Sequence, residues 1–341
     1  MKDFHIVVIG AGPGGSMAAF ECASRGLGRV SLLEKARFPR VKPCAGCLSP
    51  RAKSILSEAG LWSRIEKEAY PITHARMVMP DGSEMLRSAG EIGAAVLERS
   101  RFDQILVDAA VERGVTFWDQ TRVDELVYEE DRVVGVRVRG DTLRARIVLV
   151  ANGATSRFHL DLRPKEFLLT CLAWYEGVPF RPNCIEMIFD PSLAPHYGWL
   201  FPESPTRVNI GIGVASGRIE GTTLGRLYQG FIDRNLRPRL KDAVKVGRER
   251  RYPISPCFKV QHHGYPGTLL VGESCRLVNA FSGEGISYAL QSGRIAAQAL
   301  QEGFTGNWSV QEISERYRSL LDQDMGTSLQ MGEKLLQTGL S

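Results

Sequence analysis

No stretch of this sequence is apolar for long enough to span a bilayer, and its seven cysteines are an odd number. Spread thinly and mostly inside apolar segments, they argue against a disulfide-stapled secreted fold and fit a reducing cytosol. Charge of one sign is also scarce. A formal net charge of +5 over 341 residues is too mild to imply nucleic acid, and no RNA- or DNA-binding signature is present. Repeats and low-complexity tracts are absent. No signal peptide is expected, because strand-like sequence begins by residue 4. Hydrophobic content of 43% and charged content of 24% are those of an ordinary globular protein. The chain has room for a large core in one big or two interleaved domains. The expectation is a soluble, cytoplasmic protein, free to lie against a membrane surface.

What is present is concentrated first in residues 4 to 34. Phe4-His5-Ile6-Val7-Val8-Ile9 has no alternation and reads as a parallel strand buried on both faces. It runs into Gly10-x-Gly12-x-x-Gly15 and then Ser16-Met17-Ala18-Ala19-Phe20, the first turns of a helix. Gly10 allows the tight turn, Gly12 lets backbone approach a pyrophosphate, and Gly15 lets helix and strand pack closely. The helix N-terminus offers free N–H groups and partial positive charge to phosphates. A second strand, Val30-Ser31-Leu32-Leu33, ends in Glu34, spaced as a carboxylate that accepts from an adenosine ribose hydroxyl.

Further along, Arg37 to Pro50 is a loop punctuated by proline and glycine, and Ser49-Pro50 is an N-cap and first-turn pair for a helix over 50–60. A hairpin over 75–87 turns at Asp81-Gly82. Residues 101–113 have helical period, and 121–145 form a meander turning near Glu130-Asp131 and Gly140-Asp141. Ile147 to Val150 is another buried strand, ending at Ala151-Asn152-Gly153. Strand-like runs at 168–177, 184–190, 197–201 and 207–214 suggest an antiparallel sheet, followed by a basic helix near 221–235. The buried-strand pattern returns at Thr268 to Val271 and leads into a helix from Gly283 to Leu300. The tail from Ser309 reads as a helix pair or one interrupted helix.

At Gly272-Glu273-Ser274-Cys275-Arg276 and Ser282-Gly283-Glu284-Gly285-Ile286 the chain resembles the flavoprotein group that contains p-hydroxybenzoate hydroxylase-type monooxygenases. Within it, the chain is most similar to the geranylgeranyl reductases, whose signature runs Gly-Asp-Ala-Ala-Gly, then Pro-x-x-Gly-Glu-Gly-Ile. Lys42-Pro43-Cys44, Arg99-Ser100-Arg101-Phe102-Asp103 and Tyr197-Gly198-Trp199-Leu200-Phe201-Pro202 point the same way. The resemblance extends to about residue 300. It implies an α/β fold: a discontinuous Rossmann-type FAD-binding domain (1–164 and 263–305), an inserted antiparallel-sheet substrate domain (165–262) and a helical C-terminal tail (306–341).

The resemblance also implies FAD, with its pyrophosphate against Gly10, Gly12, Pro13, Gly14 and Gly15, its ribose at Glu34 beside Lys35, and Arg99 near the pyrophosphate. Cys44 and Ala45 would lie over the flavin, Asn152, Gly153, Gly272 and Glu273 along it. Gly283, Glu284, Gly285 and Ile286 would open a helix aimed at the N1–O2 edge, where reduced flavin is anionic. No metal is expected. The sequence departs from the family pattern at Glu273 (family Asp), Arg276 (small), Ala280 (Pro) and Asn152 (Asp).

Cys44 is the candidate catalytic residue, a thiol able to give a proton beside a hydride acceptor or to gate access; its plainer reading is a small apolar loop residue. Cys47 completes a Cys-x-x-Cys spacing, but in a loop rather than at a thioredoxin-type helix start. A lowered thiol pKa is plausible beside Lys42 and Arg40. Tyr197, Trp199 and Phe201 share one strand face and read either as core packing or as the wall of a substrate tunnel. Gly211-Ile212-Gly213 resembles a second dinucleotide pattern, yet Val208 to Val214 alternates like a strand and is read as one. From Arg218 to Lys259 there are eleven Lys or Arg against four Asp or Glu, a solvated face or a mouth for an anionic headgroup. Ile313, Tyr317, Leu320 and Leu321 suggest a packing helix.

These features point to an FAD-dependent reductase that saturates carbon–carbon double bonds of an isoprenoid chain or related apolar compound. An external donor such as transient NADPH or ferredoxin would supply electrons, and a prenyl lipid with peripheral membrane contact would suit the tunnel. The alternatives are an FAD monooxygenase using NAD(P)H and oxygen on an aromatic or polyketide, and a non-catalytic flavin-fold protein that binds an apolar ligand.

Overall fold

Ile6, Val7 and Val8 are fully buried because both faces of their strand are covered. In the computed structural model, which describes residues 3–88, 93–158, 167–256 and 263–338, the strand Asp3–Ile9 pairs in parallel with Val30–Leu33 and with Asp141–Val150. Thr116–Trp118 extends the sheet beyond Val30–Leu33, and Thr268–Leu270 pairs in parallel with the C-terminal end of Asp141–Val150. The N-terminal end of that strand pairs instead with Arg132–Val138, which returns from Glu125–Glu129. Meander and buried strand, expected as separate elements, are therefore one continuous ladder.

The helices Pro13–Ser24 and Ile286–Thr305 cross at glycines. A Cβ on Gly293 would lie 2.5 Å from the Gly14 carbonyl oxygen, so the two backbones nearly touch. Ser49 caps the helix Pro50–Glu58 by accepting from the Ala52 N–H at 3.3 Å. The C-terminal helix runs unbroken from Val310 to Thr338 rather than as a pair. Gly326 faces open space and the apolar repeat of Ile313, Tyr317, Leu321, Met325 and Leu329 passes it without a phase change. This helix packs on the parallel-sheet lobe, with the Tyr317 hydroxyl donating to the Leu270 carbonyl at 2.8 Å. Among the described residues no helix is long and apolar enough to cross a membrane.

A second sheet runs in the order Val244–Ile254, Leu168–Glu176, Arg207–Ala215, Gly198–Pro202, Cys184–Ile188, His74–Val78, Glu84–Ser88. The hairpin 74–88 joins it through parallel pairing of His74–Val78 with Cys184–Ile188. The sheet is thus assembled from two stretches of chain and not from 165–262 alone. Of that expected insertion, residues 165, 166 and 257–262 lie outside the described residues. The strand Val244–Ile254 went unread because an exposed edge strand needs no apolar face, and its Lys and Arg side chains suit an edge. The basic helix is shorter than expected, Leu224–Phe231, continuing as a wider turn over Ile232–Leu236. A small third sheet, Cys47–Leu48 with Ala94–Val96 and Tyr70–Ile72, lies between the lobes.

The central strands of the second sheet are buried on both faces. Val208, Ile210 and Ile212 meet Tyr228 and Phe231 of the helix on one side. On the other, Leu172, Trp174, Trp199 and Phe201 cluster with Ile72 and Val96, facing the parallel-sheet lobe. That second face supplies one wall of the site.

Candidate functional site

The C-terminal ends of the parallel strands, the loop after Glu34 and the inner face of the second sheet enclose a cavity of about 710 Å³. Open α/β sheets place their ligand crevice at this end. Gly10 has φ +100°, and a Cβ there would lie 2.6 Å from the Ala151 carbonyl oxygen. At Gly12 a Cβ would meet nothing closer than the Arg40 and Arg99 guanidinium groups, both at 3.9 Å. Gly10, Gly12, Pro13 and Gly14 line the cavity; Gly15 does not. A Cβ on Gly15 would fall 1.9 Å from the Gly10 carbonyl oxygen, the close helix–strand packing expected of this glycine.

The donor set at this end fits a dinucleotide. Helix Pro13–Ser24 begins with no side-chain cap and no acidic residue in its first turn, which leaves N–H groups and partial positive charge to the cavity. Arg99 is buried and bidentate on Asp103, at 2.8 and 2.9 Å. Arg40 reaches the same carboxylate at 2.9 Å and Glu34 at 3.4 Å. Two guanidinium groups and an open helix end suit a diphosphate. Glu34 accepts from the Ala11 and Ala36 N–H groups at 3.1 and 3.0 Å and keeps acceptor capacity for a ribose hydroxyl. Lys35 lines the same end. The sequence places Arg40 only beside the Cys44 thiol and Asp103 only in a helix-start motif, although the i, i+4 spacing of Arg99 and Asp103 is visible on the helix.

In the following loop, the Lys42 ammonium lies 3.4 Å from the centre of the Tyr252 ring. It faces the cavity but is enclosed by protein elsewhere, and this burial, opposed by Glu273, pushes its pKa down to about 8. Cys44 and Ala45 line the cavity, and the Cys44 Sγ accepts from the Gly46 N–H at 3.4 Å. Burial works against charge on Arg99, but the Asp103 carboxylate opposes it and holds the guanidinium charged. Cys47 occupies a short strand, and burial, with Glu284 and Cys44 adding, pushes its thiol up to about 12. Both cysteines are free thiols.

The departures from the family pattern have local explanations. The Glu273 carboxylate accepts from the Ser255 N–H at 3.2 Å, and the Arg276 guanidinium donates to the Ser255 hydroxyl at 3.2 Å and the Pro256 carbonyl at 3.1 Å. Both longer side chains therefore grip the end of the edge strand Val244–Ile254. Asn152 accepts from the Ser274 hydroxyl at 3.2 Å, which itself accepts from the Gly153 N–H at 3.0 Å. Ala280 needs no proline ring, because the Asn279 side chain closes the loop by accepting from the Phe281 and Ser282 N–H groups at 3.1 and 3.0 Å. Gly272, Gly283, Gly285 and Ile286 line the cavity. Glu284 does too, but its carboxylate accepts from the Ser287 N–H at 2.8 Å, so one donor of that helix end is already occupied. Burial raises the Glu284 carboxyl above its usual range.

Tyr197, Trp199 and Phe201 line the cavity together with Leu172, Ile185 and Met187. Gly211 and Gly213 sit in the strand Arg207–Ala215, not in a phosphate loop; a Cβ on Gly211 would strike the Trp199 indole at 2.2 Å. His196, unremarked in the sequence, also lines the cavity. Burial pushes its pKa down to about 4, opposed by a hydrogen bond to the Phe281 backbone. An unfolded chain binds this proton below about pH 6.5, the folded one only below about pH 4. Stability therefore falls as pH drops through that window, by about 3 kcal/mol in all. His196→Gln is expected to flatten this acid limb in denaturant melts at pH 7, 5.5 and 4; equal slopes in both proteins would remove the assignment.

Residues 3–167 match the family described as FAD binding domain, and residues 171–248 that described as geranylgeranyl reductase catalytic domain. The chain is 31% identical to digeranylgeranylglycerophospholipid reductase 1 of Methanopyrus kandleri, over 98% of this chain and 90% of that protein. A similar reductase of Thermoplasma acidophilum is 28% identical over 95% of this chain and 84% of its own length. Among solved structures, a geranylgeranyl bacteriochlorophyll reductase-like protein from Thermoplasma acidophilum superposes with a TM-score of 0.89 at 25% identity, covering 100% of this chain and 89% of that one. A flavin-dependent brominase, with TM-score 0.82 at 19% identity over 99% of this chain and 91% of that one, shares the fold.

Proposed function

Because this chain belongs to the geranylgeranyl reductase family of FAD-dependent oxidoreductases, we propose that its substrate is a prenyl glycerolipid whose isoprenoid double bonds it saturates. The observation that carries this reading is the single cavity that joins the glycine loop, the Cys44 loop and the aromatic stripe. FAD fits one end, held by the Gly10–Gly14 loop, Glu34, Arg40 and Arg99. When bound, FAD supplies the hydride for one carbon of the double bond.

The protein's part is to hold the chain and to manage the proton. Trp199, Phe201, Leu172, Ile185 and Met187 give an apolar wall that excludes water and suits a branched hydrocarbon. Cys44 holds a proton at Sγ beside that wall, and it or a bound water gives the proton to the second carbon. Arg250 shares the cavity face of its strand with Tyr252 and Ile254, opposite Leu172, and so stands where an anionic headgroup would emerge. Electrons come from an external donor such as NADPH or a ferredoxin, and access to a lipid implies peripheral contact with a membrane. The hydroxylase and the cofactor-free readings have less support, since the sequence relatives named above are reductases and the open helix end beside Arg40 and Arg99 favours a bound dinucleotide.

The test is an anaerobic single turnover. Purified protein should show a flavin spectrum, release FAD on denaturation, and after chemical reduction convert a digeranylgeranyl glycerolipid to a product heavier by two hydrogens, one double bond being reduced per reduced flavin. No product without oxygen, and an oxygenated one with it, would overturn the reading in favour of a monooxygenase.

A further inference from the structure

The inner face of the strand Arg207–Ala215 is nearly bare. Val208, Ile210, Ile212 and Val214 point away from the cavity or into the other core, while Gly211 and Gly213 present no side chain. Asn209 alone carries a side chain in the middle of that face, and it is fully buried. Its neighbours there are the apolar cluster of Leu172, Trp174, Trp199 and Phe201. If filling space were its only task, an aliphatic residue would serve without the cost of burying an amide.

Both ends of the amide are used, and they reach two different elements. Oδ1 accepts from the Trp199 indole N–H at 2.8 Å. Nδ2 donates to the Cys44 carbonyl at 3.3 Å. The indole also packs over Gly211, where a Cβ would lie 2.2 Å from the ring. We propose that Asn209 is a positioning residue that fixes the Trp199 indole and the Cys44 peptide relative to one another. The apolar wall and the thiol facing the reacting chain are then set as one unit. A buried amide satisfied at both ends specifies one arrangement more sharply than apolar packing does.

The role in catalysis rests on the reductase reading; the mechanical link does not. The probe is therefore the alkylation rate of Cys44 by iodoacetamide in the FAD-loaded protein, read by peptide mass. Asn209→Asp keeps an acceptor for the indole but sets a second acceptor against the Cys44 carbonyl, and alkylation is expected to rise about three- to tenfold, the range of one lost hydrogen bond. Trp199→Phe removes the indole donor, and its effect together with Asn209→Asp should be less than the product of the two alone. In turnover, Asn209→Asp should lower kcat more than it raises KM. Unchanged Cys44 alkylation in folded Asn209→Asp, or fully multiplicative effects in the double variant, would overturn the proposal even with reductase activity intact. If Asn209→Asp fails to fold, Trp199→Phe carries the same alkylation test, and no change there overturns it. Loss of the reductase reading alone would show as no lipid product from the unaltered enzyme, with the alkylation pattern preserved.

Discussion

Gly15→Ala is expected to destabilise the protein by about 3 kcal/mol or more, at the upper end of overpacking effects, while Gly12→Ala should leave its stability close to unchanged. The two glycines belong to one fingerprint but meet different surroundings. A methyl on Gly15 would lie 1.9 Å from the Gly10 carbonyl oxygen and 3.0 Å from the Ala151 Cβ. The first neighbour is backbone of the turn itself and cannot rotate aside, so helix Pro13–Ser24 would have to lift from the sheet it covers. A methyl on Gly12 meets nothing within 3.9 Å, but it projects toward Arg40 and Arg99, into the space proposed for the diphosphate. Thermal melts and FAD titration of both variants separate the cases. Gly15→Ala should melt early with or without FAD, and Gly12→Ala should melt normally when FAD-free but bind FAD more weakly. Equal melting of Gly15→Ala and the unaltered protein would show that the helix can shift at little cost.

Asp103→Ala should cost about 3–5 kcal/mol, the usual result of removing one partner from a buried charge pair. Asp103 is fully buried and holds Arg99 through two hydrogen bonds and Arg40 through a third. Without it, two neighbouring guanidinium groups repel one another, and the ion pair that remains is Arg40 with Glu34 at 3.4 Å. FAD would bring two negative charges to the same place. The thermal shift on adding FAD is therefore expected to be larger in Asp103→Ala than in the unaltered protein, although both melting points of the variant are lower. A variant that melts normally, or whose FAD-induced shift is not enlarged, would mean that the arginines do not face the diphosphate. Asp103→Asn serves as the milder variant, since its amide can still accept one hydrogen bond.

The nucleotide-binding half was legible in the sequence because its signals are local. Strand, glycine turn, helix start, second strand and Glu34 follow one another within residues 4–34, and each is specified by backbone geometry or burial over a few neighbours. The later turn at 272–286 was legible for the same reason, through glycines and a helix start. Much of the second sheet was read correctly where one face alternates, as in Arg207–Ala215. The strand Val244–Ile254 was not, because at an exposed edge the alternation that marks a strand has nothing to bury. Nor was the hairpin 74–88 placed, since its own sequence does not say that it pairs with Cys184–Ile188 more than a hundred residues later.

By itself, then, the sequence determined the kind of cofactor the chain is built to hold, the family, and the strand-and-helix order of the parallel lobe. Those depend on short-range sterics and on hydrophobic period. Only the tertiary structure decided that Glu273 and Arg276 both grip Ser255, with Arg276 reaching the Pro256 carbonyl as well, and that Asn209 ties Trp199 to Cys44. Each of these is a contact of a few ångströms between residues distant in the chain. A shift of one residue in strand register would turn the side chain to the opposite face and abolish it, so register and lobe packing, not local propensity, settle which polar groups meet.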